Sequence, residues 1–329
     1  MSHSLDEPLL RVRNLSVAYS LVRAVDGVDL DLLAGETLGL VGESGCGKTT
    51  LGRTIAGLTA PAAGEIAYRS NDRSILDIGA LRGAQRKTIL SEVRVIFQDP
   101  FSSLNPRLSV RKILGEPLQN LSSMSRREID HAVAEMIERV GLSSQHLDNY
   151  PHAFSGGERQ RINIARALIT RPRLVIADEP VSALDVSIRA QILNLLQDLQ
   201  NDLGLSYLFI SHDMSVIEQV CDRVAVMYRG RIVELAPTDD LFRNPAHPYT
   251  EALLSAVPIA DPRMRGSRNQ VAVSDETMDS FVESGCPYRP RCRFAIADCA
   301  QSTPALRPQD GAHPAACLRS GSIDVRGVY

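Results

Sequence analysis

No stretch of this 329-residue chain approaches the ~18–20 consecutive apolar residues a membrane-spanning helix requires, although 44% of its residues are hydrophobic. A basic excess is missing too. The net charge of −3 and a pI near 6.2 argue against a general nucleic-acid binder. Residues 1–8 are polar and acidic, so no secretory leader is expected there and the protein is expected to stay in the cytosol. Lysine is nearly absent: Lys48, Lys87 and Lys112 are the three lysines, and arginine supplies the rest of the 36 basic residues. Cysteine is scarce and uneven. Cys46 and Cys221 stand apart, whereas Cys286, Cys292, Cys299 and Cys317 fall in the last fifth of the chain. In a reducing compartment such clustering favours metal or cluster ligation over disulfides. The remaining composition, with 23% charged residues, is that of an ordinary soluble globular protein of one large or two smaller domains.

One of the three lysines lies in Gly42-Glu43-Ser44-Gly45-Cys46-Gly47-Lys48-Thr49, which reads G-x-x-x-x-G-K-[ST]. The apolar run at 37–41 predicts a short buried strand before it, and 49–56 continues as a helix start. Glycines at 42, 45 and 47 let the backbone turn successive N–H groups toward phosphate oxygens. The following helix points its positive end at the same anion. Lys48 adds a mobile charge for the outer phosphates, and the Thr49 hydroxyl suits Mg²⁺, with Ser44, Cys46 and Thr50 completing the loop's contacts.

Around this loop the pattern alternates strand and helix. Strands are expected at 9–17 and 28–32, suited to a small antiparallel sheet flanking the nucleotide, then at 65–68 and 93–97. Tyr19 falls on a loop between the first two; its ring could stack on adenine or fill a half-buried core position. Residues 71–83 read as a loop leading into a helix. Gln98 opens the turn-rich segment Gln98-Asp99-Pro100-Phe101-Ser102-Ser103-Leu104-Asn105-Pro106. Helices at 110–118 and 126–140 predict a helical insertion in an α/β core. Ser155-Gly156-Gly157-Glu158 then opens another helix, which could offer an anion site at its N-terminus or be an ordinary cap by Ser155.

The run 174–179 is a buried strand ending in Asp178 and Glu179. Its propensity does not favour two acids there, whereas a phosphate-loop enzyme uses such a strand acid to hold Mg²⁺. Glu179 can polarise an attacking water. Asp185 sits in a tight loop before a long helix at 187–203. The strand at 207–210 closes on Ser211-His212-Asp213, placing a histidine within reach of a γ-phosphate. A hairpin is expected at 223–228 and 231–235, and a short helix at 250–256.

In this order the pieces resemble the ATP-binding subunit of an ABC transporter, over about three quarters of the chain. Gly42 to Thr49 resembles the Walker A loop, Gln98 the Q-loop, Ser155-Gly156-Gly157 the signature, Asp178 and Glu179 the Walker B pair, Asp185 the D-loop and His212 the switch histidine. The resemblance implies an α/β phosphate-loop NTPase with a RecA-like core, an antiparallel β subdomain and a helical subdomain at about 100–168. It implies ATP with Mg²⁺ held by Thr49, Gln98 and Asp178, and Glu179 as general base assisted by His212. It also implies a head-to-tail dimer in which Ser155, Gly156, Gly157 and Glu158 meet the partner's ATP. Glu158 departs from the usual glutamine and adds charge near that ATP.

Phe97-Gln98-Asp99-Pro100 with Ser103-Leu104-Asn105-Pro106, Pro180-Val181-Ser182-Ala183-Leu184-Asp185-Val186-Ser187, and His247-Pro248-Tyr249-Thr250 narrow the likeness to the dipeptide, oligopeptide and nickel permease ATPases. That likeness implies a paralogous ATPase partner, two transmembrane permease subunits, an extracytoplasmic solute-binding protein, no nucleic acid, and a peripheral site on the cytoplasmic face of the membrane. The same engine could serve nickel or another solute. A soluble ABC ATPase acting on nucleic acid or ribosomes is the rival class; such proteins usually carry two nucleotide domains or basic segments.

The nucleotide-binding domain is expected over 1–257, with a Cys-rich extension at 258–329. The late cysteines are spaced C-x5-C-x6-C-x17-C among several prolines, in a segment too weakly apolar to bury much core. Four thiolates suit zinc or a [4Fe–4S] cluster. The absence of C-x2-C pairs leans against zinc, and the resemblance to peptide-permease ATPases implies the iron–sulfur cluster; unligated thiols are the third alternative.

Overall fold

Apolar strand runs and amphipathic helices assemble as expected in the computed structural model, which describes residues 7–20, 22–99, 103–256, 284–309, 312–325 and 327. Residues 100–102 of the loop after Gln98 and the first part of the C-terminal extension, 258–283, lie outside the described residues. The chain divides into two compact units.

The first unit comprises Met1–Arg13, Leu30–Thr37 and Gly52–Ile210. Its centre is a parallel array of β6 (Val93–Ile96), β7 (Leu174–Asp178) and β8 (Ser206–Ser211), with Leu174 opposite both Val93 and Ser206. Every residue of β7 and β8 is buried. Strands covered on both faces read as continuous apolar runs rather than alternations. Helices α5 (Gly156–Leu168) and α6 (Val186–Leu203) belong to this unit, as does α1 (Lys48–Ile55) from Gly52 onward. Gly52 permits the close approach of α1: a Cβ there would lie 2.8 Å from Ile210 Cδ1 and 3.0 Å from Ile176 Cγ2.

The expected helical insertion is present as α3 (Val110–Leu121) and α4 (Arg126–Arg139). Helix α4 starts with a capping box of Ser125 and Glu128 and buries Ile129, Val133, Met136 and Ile137, a spacing of three and four that makes one face.

Two expectations are corrected in this part of the chain. Residues 71–83 are not simply a loop: β5 (Ile75–Asp77) pairs antiparallel with β4 (Ala63–Arg69) before α2 (Gly83–Glu92) begins. Only Leu76 of β5 is buried, so the strand left no apolar pattern to read. Strand β2 (Val22–Leu32) starts six residues earlier than expected, because Val25 is the one buried residue among those six and leaves no alternation to read.

The second unit comprises Asn14–Asp29, Leu38–Leu51 and Ser211–Tyr329. Here β3 (Thr37–Val41) runs parallel to β9 (Arg223–Tyr228), which forms an antiparallel hairpin with β10 (Arg231–Pro237). The extension adds β11 (Arg307–Gln309) and β12 (Ala312–Ala315), with β12 paired to β10 at Glu234 and Ala315. Glu234 is fully buried. Its carboxylate accepts from the Ala246 and His247 N–H groups, the Thr250 hydroxyl and His313 Nε2, so it ties the extension to the sheet. Short helices α7 (Met214–Val220), α8 (Thr238–Arg243) and α9 (Pro248–Ser255) complete the unit.

Candidate functional site

The phosphate loop belongs to the second unit. Gly45 has φ +80° and Gly47 φ +109°, conformations that a side chain disfavours. Gly47 also passes against Ala24, where a Cβ would stand 2.1 Å from the carbonyl oxygen. Lys48 is 5% exposed, and its ammonium donates to the carbonyls of Gly42 and Glu43 at 2.7 and 2.9 Å. No carboxylate ion-pairs with it among the described residues. A buried cation held by two carbonyl dipoles and the Cys46 sulfur is costly unless an anion joins it. That makes the loop fit a phosphate.

Cys46 is buried with Sγ 3.8 Å from Lys48 Nζ. Burial pushes this thiol up, while Lys48 pulls it the other way. The Glu43 N–H donates to the hydroxyl of fully buried Tyr249 at 2.8 Å. Tyr19 corrects its expectation: it is the last residue of β1 (Leu10–Tyr19), not a loop residue. At 52% exposure it is not a core tyrosine, which leaves its ring free to act as a stacking face. His212, also in the second unit, is exposed just after β8.

The first unit carries the acidic pair. Asp178 ends β7 and is 4% exposed. Glu179 follows with φ +48°, a left-handed conformation that is uncommon for a residue with a side chain. Its backbone is fixed there: its N–H donates to the Ile210 carbonyl at 3.0 Å, and its carbonyl accepts from the Ser182 hydroxyl at 3.1 Å. Gln98 Nε2 donates to Glu179 Oε2 at 2.8 Å. Two predicted site residues, 81 positions apart, are thus joined. Gln160, which sequence reading missed, is 1% exposed and donates to the Pro180 carbonyl at 2.7 Å, bracing the turn after Glu179.

Ser155 caps α5 in a reciprocal box. Its N–H and hydroxyl both donate to Glu158 Oε2 at 2.8 Å, and those bonds hold the Glu158 carboxyl below its usual range. Glu158 thus satisfies the start of α5, a capping role that glutamine shares. Gly157 lies against α6, where a Cβ would meet Ile188 Cγ2 at 2.7 Å. Asp185 is exposed at the N-terminus of α6, with no side-chain cap bond.

Residues 25–182 match the family model of ABC transporters, and residues 233–299 match that of the oligopeptide/dipeptide transporter C-terminal region. The chain is 46% identical over 319 residues to the dipeptide transport ATP-binding protein DppF of Escherichia coli (strain K12), covering 94% of this chain and 93% of that one. It is 47% identical to the oligopeptide transport ATP-binding protein AppF of Bacillus subtilis (strain 168), covering 90% and 89%. The chain belongs to the ATP-binding subunits of ABC transporters, in the oligopeptide/dipeptide permease family.

Its fold is similar to that of cbiO1 from Clostridium perfringens, part of the ABC transporter complex cbiONQ (TM-score 0.64, 27% identity, 72% of this chain and 91% of that one). It is also similar to the ATP-binding cassette MJ0796, described as a dimer bound to ADP and Pi (TM-score 0.62, 26% identity, 70% and 98%). This ATPase subunit has, among the described residues, no helix long and apolar enough to cross a membrane.

The late cysteines converge without forming a ready metal centre. All four line one small cavity with Pro248, Tyr288, Phe294 and Leu318. Yet no group of three or more His, Cys, Asp or Glu side chains among the described residues is placed to hold a metal ion. Burial pushes the Cys286 thiol up to about 11 and raises those of Cys292 and Cys317.

Proposed function

We propose that this ATPase subunit works peripherally on the cytoplasmic face of a cell membrane and drives import of dipeptides or oligopeptides. The observation that carries the cargo class is the match of residues 233–299 to the C-terminal region of oligopeptide/dipeptide transporters. The 46–47% identity to dipeptide and oligopeptide transport ATP-binding proteins supports it. On this reading residues 1–257 are the nucleotide-binding domain and 258–329 the extension.

Lys48 and the N–H groups of Gly42, Ser44, Gly45, Cys46, Gly47, Thr49 and Thr50 hold the phosphates, and Tyr19 stacks on the base. Thr49, Gln98 and Asp178 surround Mg²⁺, which neutralises phosphate charge when bound. Glu179 accepts the proton of the attacking water, oriented by its bond from Gln98 and assisted by His212. Ser155, Gly156, Gly157 and Glu158, with Asp185, face the ATP of a second, paralogous ATPase subunit arranged head to tail. The dimeric state described for MJ0796 supports that pairing. Two transmembrane permease subunits and an extracytoplasmic solute-binding protein complete the assembly.

Cys286, Cys292, Cys299 and Cys317 hold a [4Fe–4S] cluster in this reading, supported by the lining of one cavity by all four cysteines. Iron and acid-labile sulfide in anaerobically purified protein are the expected result; zinc alone contradicts the cluster.

The function is tested by ATP turnover of the membrane complex that co-purifies with this chain, with binding protein and short peptides added. Stimulation by peptides is expected. Stimulation by nickel chelates or sugars instead discards the peptide cargo and keeps the engine. Absence of membrane subunits from the complex contradicts the transporter reading and favours a soluble ABC ATPase.

A further inference from the structure

The segment between two of the late cysteines reaches into the phosphate loop. Residues Arg289–Arg291 form one tight turn, braced by the Arg289 N–H on the Cys286 carbonyl and the Cys292 N–H on the Arg289 carbonyl. From that turn Arg291 extends to Glu43, the second residue of the loop, 248 positions earlier. Its two terminal nitrogens donate to the two carboxylate oxygens at 2.8 and 2.7 Å, a fork-to-fork geometry. The Arg291 side chain is 6% exposed.

Two tyrosine rings flank the guanidinium. Its carbon lies 5.7 Å from the Tyr288 ring centre and 6.0 Å from that of Tyr228. Tyr228 in turn packs 4.6 Å from Tyr249, which accepts the Glu43 N–H. Glu43 also presents its carbonyl to Lys48 Nζ at 2.9 Å. One residue therefore joins the extension, the aromatic cluster and the phosphate-binding lysine.

A carboxylate in a phosphate-binding loop has an electrostatic consequence. Left unpaired, it opposes an incoming triphosphate and competes for the nearby lysine. We propose that Arg291 is a positioning residue for the phosphate loop: it neutralises Glu43 and fixes it, so that the cysteine-bearing extension sets the affinity for ATP. This rests on the reading of Gly42 to Thr49 as the phosphate site.

The test is ATP affinity of the full chain, measured with a fluorescent ATP analogue, together with KM and kcat in the membrane complex and a thermal melt of each variant. Arg291→Ala is expected to raise Kd and KM about tenfold, the factor one unit charge exerts on another at close range. The kcat at saturating ATP should stay within about twofold, since the pair does not touch the reacting atoms. Arg291→Lys should recover part of the affinity, because a point charge replaces the fork.

The decisive variant is Arg291→Ala with Glu43→Gln. Removing the stranded charge should restore Kd to within about threefold of wild type, a strongly non-additive cycle. A double variant as weak as Arg291→Ala, or weaker, overturns the proposal in favour of simple packing; an Arg291→Ala that melts normally and binds ATP as wild type does overturns it outright. Lys48→Ala separates the two readings: wild-type ATP affinity there refutes the phosphate site itself, whereas its loss beside an unaffected Arg291→Ala refutes only the role of Arg291.

Discussion

Alanine at Gly47 perturbs the phosphate loop at its tightest point, and the comparison with alanine at Gly45 isolates why. At Gly47 the new Cβ would stand 2.1 Å from the Ala24 carbonyl oxygen and 3.0 Å from Met227 Cε. The methionine methyl can swing aside; the strand carbonyl cannot. Relieving that overlap requires the loop to shift by roughly 1 Å, a misplacement that costs about 10²-fold when it reaches reacting groups. The φ of +109° adds backbone strain of order 1–3 kcal/mol. At Gly45 the φ of +80° imposes strain alone, because nothing among the described residues lies within 4 Å of the added carbon. Gly47→Ala should therefore abolish detectable ATP-analogue binding and lower turnover of the membrane complex at least ~100-fold. Gly45→Ala should keep binding, with stability reduced by about 1–3 kcal/mol in denaturant unfolding. Wild-type turnover in Gly47→Ala, or equal damage in the two variants, would refute the steric reasoning.

Further outcomes follow from the other unit. Glu179→Gln should bind ATP with normal affinity while single-turnover hydrolysis falls by about 10²–10⁴, the usual share of a general base; unchanged hydrolysis removes Glu179 from that role. Gly52→Ala sets a helix-propensity gain of about 1 kcal/mol against an overpacking cost of about 1–3 kcal/mol on Ile210 and Ile176; a lower midpoint in urea is expected, and a higher one contradicts the packing described. The Glu158 carboxyl is held below its usual range by bonds from Ser155, so its contribution to folding is complete above the ordinary carboxyl value and is lost as pH falls through the lower folded value. Because Glu158 is exposed, Glu158→Gln should flatten that acid limb only slightly in thermal melts taken across it; a steeper limb in the variant would contradict the sign.

The phosphate loop, the buried strand ending in Asp178 and Glu179, and the opening of α5 were legible because each is written in consecutive residues. Local chemistry fixes such features: glycines where the backbone bends, apolar runs where both strand faces are covered, Ser155 with Glu158 as reciprocal cap. What escaped is non-local or weakly patterned. Arg291 and Glu43 are separated by most of the chain, and an arginine in a loop carries no mark of its distant partner. Strand β5 offers a single buried side chain, and α7 spans only seven residues behind its Asp213 cap. For Glu179 the following Pro180 points to an extended backbone, and the left-handed conformation goes instead with its bonds to Ile210 and Ser182.

The central claim is that ATP hydrolysis by this chain drives peptide uptake. It is tested most directly with membrane vesicles carrying the assembled transporter and its binding protein, by following accumulation of a labelled short peptide with ATP supplied on the side where this subunit sits. Accumulation that requires hydrolysable ATP and disappears in Glu179→Gln is the predicted result. Peptide accumulation that persists in Glu179→Gln, or ATP-driven uptake of another solute with none of peptide, would contradict it.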